Sequence, residues 1–254
     1  MRILESFFGQ FRAWTKFEKG LAAMAVLGSI VLTILWSDSL FGLSITLTGV
    51  LCVILVAKRS NWNYLWGTYN VIGYAYLAYT WGLGGDFMLN AFYFLPMQFV
   101  GLAMWSRNLE KGAIVKSRDF TQKGYIQLGF ITVGIVAFYS LVLRYIVAPF
   151  FNGLEFALEF PIYDSYFLYL FDSMSTVLSV IAMWLMAKRY AAQWLLWIIV
   201  NVASIGMWVI ALASNDAYPV DALAMILMWS MYLINAVYGY IVWFKTARVR
   251  KDIL

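Results

Sequence analysis

Histidine is absent from this 254-residue chain, and cysteine occurs once, as Cys52. Without histidine, the side chain that most often relays protons or binds metals near neutral pH is missing. A lone cysteine in an apolar segment forms no internal disulfide and says nothing about redox compartment. Charge is scarce as well: Asp, Glu, Lys and Arg make up 12% of the chain, where a soluble domain carries about 25%. A large soluble domain is thereby excluded. An enzyme buried in the membrane would need a nucleophile–base pair or a metal cluster, and the sequence offers neither. The chain is read as a non-enzyme that needs no metal and no cofactor.

What is present is apolar. Hydrophobic residues make up 63% and the mean hydropathy is +0.77. Apolar runs near the ~20 residues that cross a bilayer recur along the chain. They cover Gly20–Trp36, Ser39–Ala57, Asn61–Leu83, Asp86–Ser106, Gly124–Ala148, Ser165–Ala187, Ala191–Ala213 and Pro219–Phe244. The segment before them, residues 1–19, gathers Ile3, Phe7, Phe8, Phe11 and Trp14 on one side and charge on the other, as a surface-lying helix does. Gly20–Trp36 reads as an anchor helix, because no Ala-x-Ala-type cleavage site follows it.

Charge position tests this count. Threading eight spans puts 17 of the 18 Lys and Arg residues on one side, with Arg144 the exception. The loops of the other side hold Asp38, Asp86, Glu155, Glu159, Asp164, Asp216 and Asp221. Basic loops stay in the cytoplasm, so both termini are expected there, the tail being residues 245–254. The net charge of +5 is a topology signal, and nucleic acid is not expected as a partner.

The chain also repeats itself. Ala57-Lys58-Arg59 returns as Ala187-Lys188-Arg189, Trp66 and Asn70 as Trp197 and Asn201, and Gly101–Trp105 as Gly239–Trp243. The offsets are 130, 131 and 138, in order along the chain. The expected fold is an all-α polytopic membrane protein. Two parallel three-helix repeats, 39–106 and 165–244, are joined by a linker region 107–148, a three-plus-one-plus-three plan with an extra N-terminal helix. Transporters place their substrate site between such halves.

Polar groups within spans are costly and face the protein interior. Trp62, Trp66 and Asn70 share one helical face, and Trp194, Trp197 and Asn201 another. Gln98 follows Pro96, which is expected to kink its helix. The candidate substrate contacts are Trp66, Asn70, Gln98, Trp184, Trp197, Asn201 and Asn235, with Asp172 and Thr176 as polar support. Trp62, Trp105 and Trp243, at the basic ends, read as interface anchors, and Arg144 as a partner for Asp172. Indole walls attract flat and cationic ligands, and Asn and Gln pair with a carboxamide or sugar hydroxyls. A phosphate calls for Arg, Lys or a helix N-terminus, and neither triplet offers Lys or Arg mid-membrane. The pocket therefore suits a nucleoside-like or sugar-like solute.

These residues carry a resemblance. Ala57-Lys-Arg-Ser-Asn-Trp-Asn-Tyr-Leu-Trp-Gly-Thr-Tyr-Asn70 and Gln193-Trp194-Leu-Leu-Trp197-Ile-Ile-Val-Asn201 resemble the paired signatures of the PnuC-type nicotinamide riboside transporters. The two Gly-x-x-x-Trp segments fit as well. The resemblance covers roughly residues 39–245. It implies a fold related to the SWEET sugar transporters and uptake of nicotinamide riboside across the bacterial inner membrane for NAD synthesis. The family often has an acid where this chain has Asn201, and Gly20–Trp36 looks like an added helix. Relatives carrying thiamine or riboflavin share the architecture, and a non-transporting receptor is the alternative from another class. Homo-oligomerisation is left open.

Overall fold

A computed structural model describes residues 14–36, 40–80, 84–109, 114–153, 166–214 and 219–251. Eight helices run through them: α1 (Lys16–Trp36), α2 (Leu40–Ala57), α3 (Asn63–Thr80), α4 (Gly84–Ser106), α5 (Gln122–Asn152), α6 (Tyr166–Ala187), α7 (Gln193–Ser214) and α8 (Pro219–Lys251). Among the described residues six helices, α2 and α4 through α8, are long and apolar enough to cross a membrane. The aromatic and polar α3 falls short of that hydropathy.

Boundaries differ from the sequence expectation where side chains override hydropathy. Most of the surface helix expected over residues 1–19 lies outside the described residues. The anchor helix starts at Lys16, four residues early, because Thr15 and Glu18 cap it. The Thr15 N–H donates to Glu18 Oε2 at 2.7 Å and the Glu18 N–H to Thr15 Oγ1 at 3.2 Å. This reciprocal pair satisfies two orphan donors of the first turn. At the other end α8 continues to Lys251, so residues 245–251 are helix and not a free tail. Their basic side chains suit a helix C-terminus.

The kink expected at Pro96 is a π-helical stretch. Pro96 and Pro149 each sit at the start of an α-segment that follows a π-segment, Leu89–Phe94 and Leu143–Val147. A proline ring clashes with the carbonyl four residues back, and widening the turn removes that clash. The N–H groups of Leu95 and Ala148 accordingly reach five residues back, to Asn90 and Leu143.

The triplets α2–α3–α4 and α6–α7–α8 each pack internally, and they pack on each other reciprocally: α2 meets α8, and α4 meets α6. Helix α5 lies on α6, and α1 covers α2 and α8. The turns after α2 and α6 share one backbone. Arg59 and Arg189 hold φ of 60° and 66°. The N–H of Ser60 returns to Leu55 O and that of Arg59 to Val56 O, while Tyr190 returns to Leu185 O and Arg189 to Met186 O. That is a Schellman closure, built with arginine where glycine is usual. The bonds that start α3 and α7 keep the same offset of 130 as far as Leu65 and Leu195.

Residues 114–118 strap the two turns together. The Val115 N–H donates to Arg59 O at 3.0 Å, the Arg118 N–H to Arg189 O at 2.7 Å and the Ala191 N–H to Arg118 O at 2.8 Å.

Candidate functional site

Both triplets converge at their basic ends on four aromatic rings. Tyr64, Trp105, Trp194 and Trp243 are all buried. Ring centroids lie 5.2 Å apart for Tyr64–Trp105, 5.8 Å for Trp105–Trp243 and 6.0 Å for Trp194–Trp243. Each terminal tryptophan caps the opposite triplet. Trp105 Nε1 donates to Met186 O at 2.9 Å, and Trp243 Nε1 to Val56 O and Ala57 O, both at 3.1 Å. Glycine makes this approach feasible. A Cβ on Gly101 would meet the Tyr64 ring at 2.5 Å, and one on Gly239 the Trp194 ring at 2.5 Å. The Gly-x-x-x-Trp segments are therefore a crossed latch that closes the basic end. Trp105 and Trp243 are fully buried, so reading them as interface anchors is incorrect. A lipid-facing anchor needs an exposed ring, and theirs are spent on the junction between triplets.

Above the latch a polar cluster forms around α2. Asn70 Nδ2 donates to Ile45 O at 2.7 Å. A Cβ on Gly49 would meet both Asn70 Nδ2 and the Tyr232 hydroxyl at 2.7 Å. A Cβ on Gly67 would meet Gln98 Oε1 at 2.6 Å and Cys52 Sγ at 3.0 Å. From α8, Asn235 Nδ2 donates to Val53 O at 3.0 Å. Asn70, Tyr232 and Asn235 thus meet α2, drawn from both triplets, and Gln98 meets Gly67 of α3 beside Cys52. Gln98 Oε1 and Asn235 Oδ1 are buried with no hydrogen-bond partner in the protein, as is Trp229 Nε1. The Trp229 ring stands edge-on to Tyr232 at 5.8 Å. Trp229 and Tyr232 escape the sequence reading, although Trp229, Tyr232 and Asn235 fall at i, i+3 and i+6 on one helix.

The second triplet carries its sequence-predicted residues on α7. Trp197 is half-buried and packs against two buried clusters, one that includes Met183 and one that includes Leu196 and Val200, and Asn201 is buried one turn on. The offset of 131 that pairs Trp66 with Trp197 and Asn70 with Asn201 is corrected by the structure. Offset 130 holds to Leu65 and Leu195, and both helices then run without interruption. Trp197 therefore stands where Gly67 does, and Asn201 where Val71 does. In α4 and α8 the latch fixes an offset of 138, which sets Gln98 against Ala236 and Met97 against Asn235. The two halves share a backbone and differ in side chains at matched positions: glycine and glutamine in one, tryptophan and alanine in the other.

Trp184 stands apart from this cluster. It is 42% exposed at the basic end, with the Lys188 ammonium 4.6 Å from its ring centroid. Its four-residue spacing from Lys188 brings the cation back over the ring, so it lies outside the mid-membrane site. Asp172 and Thr176 are half-buried on α6. Arg144, expected to face Asp172, has its guanidinium among the rings of Tyr145, Tyr166 and Tyr169 at 5.4, 5.8 and 5.5 Å. Among the described residues no cluster of three potential ligands could hold a metal ion.

Residues 39–245 match the family model described as nicotinamide mononucleotide transporter. The nicotinamide riboside transporter PnuC of Neisseria mucosa is 34% identical over 238 residues, which cover 94% of this chain and 84% of that protein. The PnuC of Haemophilus influenzae is 31% identical over 241 residues, 92% of each chain. A crystal structure of the vitamin B3 transporter PnuC superposes with a TM-score of 0.73 at 33% identity, covering 93% of this chain and 94% of that one.

Proposed function

The chain belongs to the nicotinamide mononucleotide transporter family, and on that premise we propose that it imports nicotinamide riboside through the polar cluster between its triplets, by facilitated diffusion. The imported riboside supplies NAD synthesis. The family description names the mononucleotide and the relatives' names the riboside, and the two differ by a phosphate. The observation that carries the choice is the chemistry of the cluster: neutral amides, a phenol and indoles, with Gln98 Oε1, Asn235 Oδ1 and Trp229 N–H unmet by protein. A carboxamide and ribose hydroxyls can meet such groups, and the fixed charge of a pyridinium suits an indole face. A phosphate would shed its water there with no cation to receive it.

In this reading the two triplets are parallel repeats joined by α5, and α1 is an added anchor. The basic end faces the cytoplasm of a bacterium, the protein spans the inner membrane eight times, and both termini are inside. Trp66, Asn70, Gln98, Trp197, Asn201 and Asn235 contact the substrate, Trp229 and Tyr232 join them, and Asp172 and Thr176 support the α6 side. The Trp105–Trp243 latch is the cytoplasmic gate in its closed position. Calorimetry on the purified protein tests the substrate: the riboside should bind, and the mononucleotide far more weakly. Equal affinities would overturn the assignment.

A further inference from the structure

The turns after α2 and α6 share a backbone but not a charge balance. At the first, Lys58 Nζ meets Glu18 Oε2 at 2.8 Å, and Glu18 also accepts the Tyr238 hydroxyl at 2.9 Å. Helix α1 thus closes that turn with a carboxylate. Among the described residues the second turn has no such cover. Lys188, the counterpart of Lys58, lies over the Trp184 ring. Arg118 lies 4.8 Å over Tyr190, which stacks on Phe120 at 4.2 Å. Among the described residues no carboxylate comes within 4.0 Å of Arg118, Lys188 or Arg189. The neighbouring Asp119 is turned away, accepting from the Tyr125 hydroxyl and the Phe120 N–H.

These three cations border one cavity of about 370 Å³, with Trp184 and, from α4, Met104 also on its wall. Arg189 donates to Lys116 O at 3.4 Å, while its Nε is buried with no hydrogen-bond partner in the protein. Burial first, and the charge of Arg118 second, hold its guanidinium below the ordinary value. Basic residues at a membrane-facing end usually serve topology alone and stay solvated. Here Arg118 and Lys188 are fixed over rings, all three border one cavity, and Arg189 leaves a buried donor unmet.

We propose that this cavity binds a phosphate-bearing anion. Guanidinium and ammonium donors around a recess are what a phosphate calls for. The anion comes either from a lipid headgroup at the membrane surface or from free phosphate in the adjoining solution. Because Met104 belongs to the first triplet and the cations to the second and its strap, the bound anion braces the junction between them.

The test uses the full-length protein. Thermal unfolding in detergent is titrated with inorganic phosphate against chloride at equal ionic strength, and binding is measured to phosphatidylcholine vesicles with and without phosphatidylglycerol. The Arg118→Gln/Lys188→Gln double variant should weaken the phosphate-dependent response roughly tenfold. Lys188→Gln alone, at a partly exposed position, should weaken it about threefold and serves if the double variant does not fold. Lys123→Gln, which removes an exposed charge from the same end, should leave it unchanged. A response to both probes, to the headgroup alone or to free phosphate alone each supports the site and names its source. No response to either probe, or equal losses in Lys123→Gln and Lys188→Gln, overturns it.

Discussion

Gln98 buries a carbonyl oxygen that no protein group meets, and Asn235 buries another. An unmet buried acceptor costs about 1–3 kcal/mol, so stability gives no reason for either carbonyl oxygen, although the Asn235 amide also bonds Val53 O. Binding does, and the two effects separate in one experiment. Gln98→Leu should lower riboside affinity roughly five- to 150-fold and leave the melting temperature equal or higher, whereas Asn235→Leu, which also loses the bond to Val53 O, should lower both. A fall in melting temperature with unchanged affinity would make both residues structural. Trp197→Ala and Asn201→Leu on α7 should also weaken uptake in vesicles. Normal uptake at normal expression would remove both residues from the site. The amides were legible in the sequence because a polar side chain inside an apolar run must be explained. Trp229 and Tyr232 were harder to see, since aromatic residues make up 19% of this chain and most of them only pack. Trp184 misled for the same reason: nothing in the sequence says that its ring is covered by Lys188 at the basic end.

Helices and their order follow from hydropathy, but the register between the two triplets does not. In low-diversity apolar sequence a match can slip by one residue, which turns a helical face by about 100°. The Schellman turns and the latch settle the register because hydrogen bonds and a close contact cannot slip. The latch carries its own prediction. Gly101→Ala or Gly239→Ala should destabilise the protein by about 1–3 kcal/mol, the cost of overpacking a closed contact. Trp243→Phe should lose about 0.5–1.5 kcal/mol through its bond to the end of α2. Melting curves check both, and an unchanged Gly239→Ala would mean that the Trp194 ring has room to move. The Glu18 contact adds a pH dependence at the mouth of α1, ahead of its apolar run. Burial alone would raise this carboxyl, but the Lys58 ammonium, the Thr15 N–H and the Tyr238 hydroxyl outweigh it and hold it below the ordinary 4.5. A depressed carboxylate stabilises the fold fully above its unfolded value and loses that contribution as pH falls through its folded value. Melting temperature should therefore have no Glu18-dependent slope near neutrality and a falling one below about pH 4.5. Glu18→Gln should remove that slope and lower the plateau. A plateau unchanged by Glu18→Gln would show that α1 is held by packing alone.

Across the whole molecule, charge decides both orientation and driving force. Threading eight spans puts 17 of the 18 basic residues on one side, which predicts that reporter fusions after Ser106 and after Asp164 lie in opposite compartments. The same compartment for both would break the eight-span topology. The driving force follows from the substrate. Nicotinamide riboside carries a fixed positive charge, and an inside-negative potential favours its entry by about 2.3 kcal/mol per 100 mV, a gradient of roughly fiftyfold at equilibrium. No second ion is needed to fill the cell. A proton-coupled carrier would use a relay of His, Asp and Glu, and this chain has no histidine. Within the two triplets the acid nearest mid-span is Asp172, half-buried on α6. Sodium would need carbonyl oxygens freed from a helix, and the π-segment Leu89–Phe94 ahead of Pro96 is where the first triplet could free one. In proteoliposomes with the voltage clamped to zero, labelled riboside should equilibrate and stop, and Asp172→Asn should still transport. With a potassium-valinomycin potential imposed, the same vesicles should accumulate riboside in proportion to the voltage. Accumulation at zero voltage under a sodium gradient would place an ion at the π-segment, and accumulation under a proton gradient that Asp172→Asn abolishes would make Asp172 the relay and the protein a symporter.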